Sequence, residues 1–126
     1  MNPEIKDRWI AALRSGSYKQ TQGQLRSVSE PNCYCCLGVL ADLYLKDTQQ
    51  DWRLQAGVDE EGSDQKRYLL HRNCFLDLSL EVLGWAGLHD SNPVVIYDDE
   101  GWSLAELNDD VGLSFTQIAD IIDEQL

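Results

Sequence analysis

The spacing of apolar and polar positions changes several times along this chain, and each change marks an element. Asn2-Pro3-Glu4 is a helix start: Asn as the cap, Pro at the first helical position, an acid in the first turn. Ile5, Trp9 and Leu13 follow at i, i+4 and i+8, with Ile10 and Ala12 beside them. That stripe predicts an amphipathic helix over about residues 3–15, with Arg14 in its last turn and Gly16 just beyond. The period is then lost. Tyr18, Gln20 and Gln22 alternate with Lys19 and Thr21, which is a strand pattern, and Gly23 reads as a turn or bulge. Leu25 to Val28 reads as the returning strand of a hairpin, and Ser29-Glu30-Pro31-Asn32 as a loop. From Cys35 the helical period resumes, with Leu37, Leu40, Ala41, Tyr44 and Leu45 on a wide apolar face. Gly38 is a poor helix former, so its presence there predicts the close approach of another backbone or a ligand.

The second half is more broken. Trp52-Arg53-Leu54 fits a short strand, and residues 59–65 form a polar loop. Lys66 to Leu76 fits either a strand or a loose helix. Leu78 to Trp85 reads as a short helix with Leu80, Leu83 and Trp85 inward. Pro93 to Tyr97 is β-rich, and Asp98-Asp99-Glu100-Gly101 closes it as a turn. Ser103-Leu104-Ala105-Glu106 and Ser114-Phe115-Thr116-Gln117 are capping boxes. The first opens a short helix to about Asn108. The second opens a final helix that buries Phe115, Ile118, Ala119, Ile121 and Ile122. The expected architecture is one α+β domain over residues 1–126: N-terminal helix, β-hairpin, central buried helix, short strands and C-terminal helices.

Composition adds one asymmetry. The net charge is −12. Lys and Arg all lie at or before Arg72, while residues 73–126 hold twelve Asp and Glu side chains and no Lys or Arg. Such a half repels nucleic-acid phosphate, so duplex binding is not expected. Conversely, no Asp or Glu occurs between Asp7 and Glu30, where Arg8, Arg14, Lys19 and Arg26 sit. No apolar run approaches the ~20 residues of a membrane span, and the N-terminus has no apolar leader segment. A cytoplasmic location, with Cys33, Cys35, Cys36 and Cys74 reduced, is the expectation.

Several chemistries are open to these residues. Cys33, Cys35 and Cys36, with His71 and Cys74, are zinc-type donors, but the C-x-x-C spacing is missing and the thiols also suit a core. Cys33 or Cys35, at a helix N-terminus, is a candidate nucleophile with His71 or His89 as base. Asp98-Asp99-Glu100 and Asn108-Asp109-Asp110 are acidic clusters that also read as turn and cap chemistry. Trp9, Tyr18, Tyr34 and Trp102 offer ring faces, Arg14, Lys19 and Arg26 offer phosphate contacts, and Gln20, Gln22 and Gln24 offer amide edges.

The motifs W-x-x-A-L-x-S-G-x-Y-x-Q-x-x-G-x-L-R (Trp9 to Arg26), Y-C-C-L-G-V-L (Tyr34 to Leu40), W-A-G-L (Trp85 to Leu88) and L-N-D-x-x-G-x-S-F-x-x-I-A (Leu107 to Ala119) resemble a family of small, largely uncharacterised phage- and prophage-encoded proteins. One departure is visible: Asn108-Asp109-Asp110-Val111-Gly112 is one residue longer than that family's usual N-D-x-G. The resemblance implies an accessory protein acting on host machinery or host defence.

The leading expectation is a non-enzymatic, anti-defence protein that sequesters a small phosphate-containing ligand, such as a nucleotide signal, as a homo-oligomer. Its ligand-binding residues would be Trp9, Tyr18, Lys19, Gln20, Arg26 and Tyr34. No catalytic residue, metal or cofactor is assigned. The alternative is an acidic inhibitor that masks the basic, nucleic-acid-binding surface of a host protein.

Overall fold

The computed structural model describes residues 1–58, 61–62, 64–70 and 74–126. Along them run α1 (Pro3–Arg14), β1 (Lys19–Gln20), β2 (Cys33–Tyr34), α2 (Cys36–Asp47), β3 (Arg53–Val58), β4 (Asp64–Leu69), α3 (Leu80–Ala86), β5 (Val94–Tyr97), β6 (Glu100–Ser103), α4 (Leu104–Glu106), a π-helical turn (Leu107–Val111) and α5 (Phe115–Gln125). The class is α+β, with a helix at each end. Among the described residues the strands form three separate pairs, β1–β2, β3–β4 and β5–β6.

α2 is the hub. Every residue from Cys36 to Asp42 is buried, which is how a helix apolar on all sides must sit. α1 packs on α5 and α2. At that junction Trp9 is fully buried and donates its indole N–H to the carbonyl of Cys36 at 3.0 Å. Asn2 caps α1 by accepting the N–H groups of Glu4 and Ile5. Both expected capping boxes form, at Ser103 with Glu106 and at Ser114 with Gln117. On α5, Phe115, Ile118, Ala119 and Ile122 are buried, and Ile121 is half-buried.

Residues 17–28 do not make the expected hairpin. β1 runs parallel to β2, with Lys19 opposite Cys33 and Gln20 opposite Tyr34. Arg26 bridges Tyr34 antiparallel from the other side. The reason is Leu25. It is fully buried, its carbonyl accepts the N–H of Cys35 at 3.1 Å, and its own N–H goes to the carbonyl of Phe75 at 2.8 Å. Burying that side chain against α2 outweighs local pairing with β1. Gly38 is what admits it, because the Leu25 backbone crosses where a side chain at 38 would lie.

Two further expectations are corrected or settled. β3 and β4 pair antiparallel from Arg53 opposite Leu69 to Val58 opposite Asp64, so Lys66 to Leu69 is strand rather than helix. In α3 the buried residues are Val82 and Ala86, while Leu80 is 61% exposed. Ser79 caps that helix through the N–H of Val82, and this start rotates Leu80 to the outside.

Candidate functional site

The aromatic and basic residues of the first half meet around Tyr34. β2 places Tyr34 in the core. Tyr18, just before β1, meets it edge-on with ring centres 5.1 Å apart. Trp52, just before β3, lies 6.2 Å away on the other side and in turn meets Tyr68 of β4 at 6.5 Å. Arg26 enters this group from its bridge position. Its guanidinium carbon stands 4.0 Å from the ring centre of Tyr68, 5.4 Å from that of Tyr34 and 6.0 Å from that of Trp52. Ring faces attract a cation through their quadrupoles, so three of them hold this guanidinium in one place.

Asp42 of α2 forms the floor. It is buried in the middle of an apolar helix, and three donors converge on it: Tyr18 Oη at 2.7 Å, Trp52 Nε1 at 3.0 Å and Lys46 Nζ at 2.9 Å. Burial works to raise its pKa, but those donors outweigh burial and hold the carboxyl below its usual value. The same contacts act on the partners. Burial first, then the bond to Asp42, pushes Tyr18 up to about 12. Tyr34 is also raised, by burial and the nearby Asp42 charge, and the bond to Asp42 raises Lys46. The two tyrosines are therefore neutral donors at physiological pH.

Arg26 has no such floor. None of the ion pairs among the described residues includes it. Its Nε is buried with no hydrogen-bond partner among the described residues. Its sequence neighbours Gln24 and Val28, with Ser29 and Lys66, line a cleft of about 340 Å³ that does not count Arg26 among its walls. Lys66 and Tyr68 are two residues apart on β4 and so lie on one face of it. The cleft's own lining brings together one cation, a hydroxyl and an amide.

The six residues expected to bind ligand separate accordingly. Tyr18, Arg26 and Tyr34 come together. Lys19 is exposed on β1, opposite Cys33 and away from the rings. Gln20 turns inward, and its amide donates to Asn108 Oδ1 at 2.9 Å and to the carbonyl of Leu113 at 2.8 Å. Trp9 presents no free ring face, being fully enclosed in the α1–α2 contact. Gln20 instead belongs to a second polar centre at Asn108, which is fully buried on the π-helical turn. Asn108 Oδ1 also accepts the N–H of Cys36 at 3.2 Å, and its amide donates to the carbonyl of Thr21 and to Asp109 Oδ1, both at 2.8 Å. All four of its hydrogen-bonding positions are filled, so it fastens α2, β1 and the π turn together.

Cys33, Cys35 and Cys36 are buried, and Cys74 is half-buried. Cys35 and Cys36 open α2, but burial overrides the helix N-terminus: Cys35 is pushed up to about 12, and Cys36 rises well above the usual thiol value. Burial, and then Glu30 at 3.6 Å, also raises Cys33. Among the described residues no group of three metal-type donors converges. His71, the imidazole in both cysteine-based readings, lies outside the described residues.

Sequence reasoning missed Asp42, Trp52, Lys66 and Tyr68. Asp42 had a signal, as a lone acid at a core position between Ala41 and Leu43. The other three had none, because only the long-range packing of the β3–β4 pair brings them to Tyr34 and Arg26.

A family model described as a domain of unknown function, DUF8296, matches residues 1–126. Neither a curated protein nor a solved structure matches the chain. Among the described residues no helix is long and apolar enough to cross a membrane.

Proposed function

The chain belongs to the DUF8296 family, and from the site described above we propose that it binds a small phosphate-bearing ligand, of the size of a nucleotide signal, and holds it without turnover. One observation carries this reading. Arg26 is fixed by three rings, has no carboxylate partner among the described residues, and stands in sequence between Gln24 and Val28, which line a cleft together with Lys66. A cation kept rigid and uncompensated is preorganised for an anion, and the ring contacts lower the ordering cost of binding. Ser29 and Gln24 supply neutral hydrogen bonds to a sugar or base edge. The raised thiols of Cys35 and Cys36 leave the site without an activated cysteine nucleophile, which supports binding rather than conversion. The motif resemblance to phage-encoded proteins supports reading the ligand as a host signal that the protein sequesters in the host cytoplasm.

The test is calorimetry and thermal shift with mono-, di- and cyclic nucleotides and with pyrophosphate. We expect saturable binding by at least one of them. Arg26→Ala or Lys66→Ala should weaken it by about tenfold or more, the loss of a charge-assisted hydrogen bond. If none of the panel binds, or if both variants bind like the parent, the reading fails.

A further inference from the structure

Among the described residues, β5 pairs with a strand on one side only. Its register with β6 sets Val94 opposite Ser103, Val95 opposite Trp102, Ile96 opposite Gly101 and Tyr97 opposite Glu100. With the two-residue turn Asp98-Asp99 between Tyr97 and Glu100, Val95 and Tyr97 direct their backbone groups at β6. Val94 and Ile96 direct theirs outward. On that open side stands the side-chain amide of Gln125, from the end of α5. Its Oε1 accepts the N–H of Ile96 at 2.7 Å, and its Nε2 donates to the carbonyl of Ile96 at 2.7 Å. A glutamine amide carries the same donor and acceptor as a peptide group. Gln125 therefore stands where the backbone of one more strand would bond.

The side chains on the same stretch are also unpartnered. Val94 is 64% exposed and Ile96 is 58% exposed, whereas Val95 between them is 3% exposed. An apolar, open edge is a template for an added strand. Val94 and Gln125 also line a groove of about 430 Å³, with Leu88, Pro93 and Leu126 among its walls, so the edge continues into a depression.

Charge selects the occupant. Asp98, Asp99 and Glu100 are exposed at one end of β5, Asp90 is exposed before the other, and Asp123 and Glu124 are exposed next to Gln125. No Lys or Arg follows Arg72 anywhere in the chain. We propose that the β5 edge docks an extended segment of a partner protein, apolar at alternate central positions and basic at its ends, which displaces the Gln125 amide and adds a strand beside β5. A second copy of this chain is the poorer occupant. It would bring the same carboxylates to an edge that already carries them, on a body of net charge −12.

The probe is a short synthetic peptide with two valines at alternate central positions and lysines at both ends. One control has glutamates at the ends. A second keeps the lysines but has proline between the valines, which keeps the charge and removes the ladder bonds. We expect saturable binding of the lysine peptide, with the largest amide shifts in nuclear magnetic resonance at Val94 to Tyr97, and at least tenfold weaker binding of both controls. Gln125→Ala should bind about threefold more tightly, because the competing amide is gone. A Val94→Thr, Ile96→Thr double variant, at exposed positions and with an unchanged melting temperature, should bind about tenfold more weakly. Equal binding of the proline control, shifts away from β5, or sedimentation showing that β5 is covered by a second copy would each overturn the proposal.

Discussion

The carbonyl of Leu25 occupies the space that a Cβ on Gly38 would need. The same oxygen accepts the N–H of Cys35, so the polar arm and the first turn of α2 are held at one point. Arg26, the next residue, is aimed by that contact. The most buried helix and the ring-bound cation are thus connected through a glycine.

Gly38→Ala tests the connection. Alanine is the better helix former by about 1 kcal/mol. Against that, the new methyl group meets backbone that has little freedom to move, and overpacking of this kind costs about 1–3 kcal/mol. Losing the Leu25–Cys35 bond adds about 1 kcal/mol. We expect a net loss of about 2 kcal/mol, read as a lower denaturant midpoint with an unchanged slope. A variant as stable as the parent would mean that the arm does not depend on this crossing.

Asn108 makes a second test. It sits on the π-helical turn Leu107–Val111, where the chain carries one residue more than an α-helical turn holds. Its four hydrogen bonds join Gln20, Thr21, Cys36 and Asp109. Asn108→Ala would strand a buried N–H, a carbonyl and the Gln20 amide together. The expected loss is about 3 kcal/mol or more, since each abandoned buried group costs about 1–3 kcal/mol. Gln20→Ala removes a single member and should cost about 1 kcal/mol. If the two losses were equal, Asn108 would not be the centre of the network.

What the chain's pattern revealed was what depends on neighbours in sequence. α1, both capping boxes and the buried face of α5 follow from spacing over one or two turns, and each is where the spacing predicts. The closeness of another backbone to Gly38 was legible for the same reason: a glycine in an apolar helix needs a cause. Alternation misplaces the arm because its partner is not its neighbour. β1 pairs with β2 across an intervening loop, and Leu25 is drawn inward by α2, which local alternation does not encode. The ring cluster was half legible. Tyr18, Arg26 and Tyr34 stood out by type, while Trp52 and Tyr68 arrive on a hairpin whose placement is tertiary. Trp9 and Gln20 look the same in sequence whether they serve a ligand or a core.

Acid should act through Asp42. Its folded pKa is depressed, so its contribution is fully present above the unfolded carboxylate value of about 3.9 and is lost as pH falls through the folded value. Asp42→Asn should lower stability at neutral pH by about 2 kcal/mol, because three donors lose a charged acceptor. The gap between variant and parent should close as pH drops below about 4. At the alkaline end the sign reverses. Tyr18 is raised to about 12, so what its protonated hydroxyl contributes persists up to about pH 10 and fades as pH climbs through 12. A parent and Asp42→Asn pair whose acid profiles stay parallel would show that the carboxylate is not linked to folding.

The last prediction separates the fastening role of Arg26 from its proposed role toward a ligand. β3 and β4 pack mainly on each other. Trp52 and Tyr68 tie them to the body through Tyr34 and Arg26, with Leu70 buried at the base. Without any ligand, Arg26→Ala should speed amide hydrogen exchange in Arg53–Val58 and Asp64–Leu69. The amides of α1, α2 and α5 should change little. Half-buried cation–ring contacts are worth about 1–2 kcal/mol, so local exchange should rise roughly five- to thirtyfold. Arg26→Lys keeps the charge but loses the planar stacking surface, and it should fall between the two. Uniform acceleration across the whole chain would assign Arg26 to the common core instead. If the variant keeps β3–β4 protected yet loses phosphate binding, the arginine serves the ligand and not the hairpin.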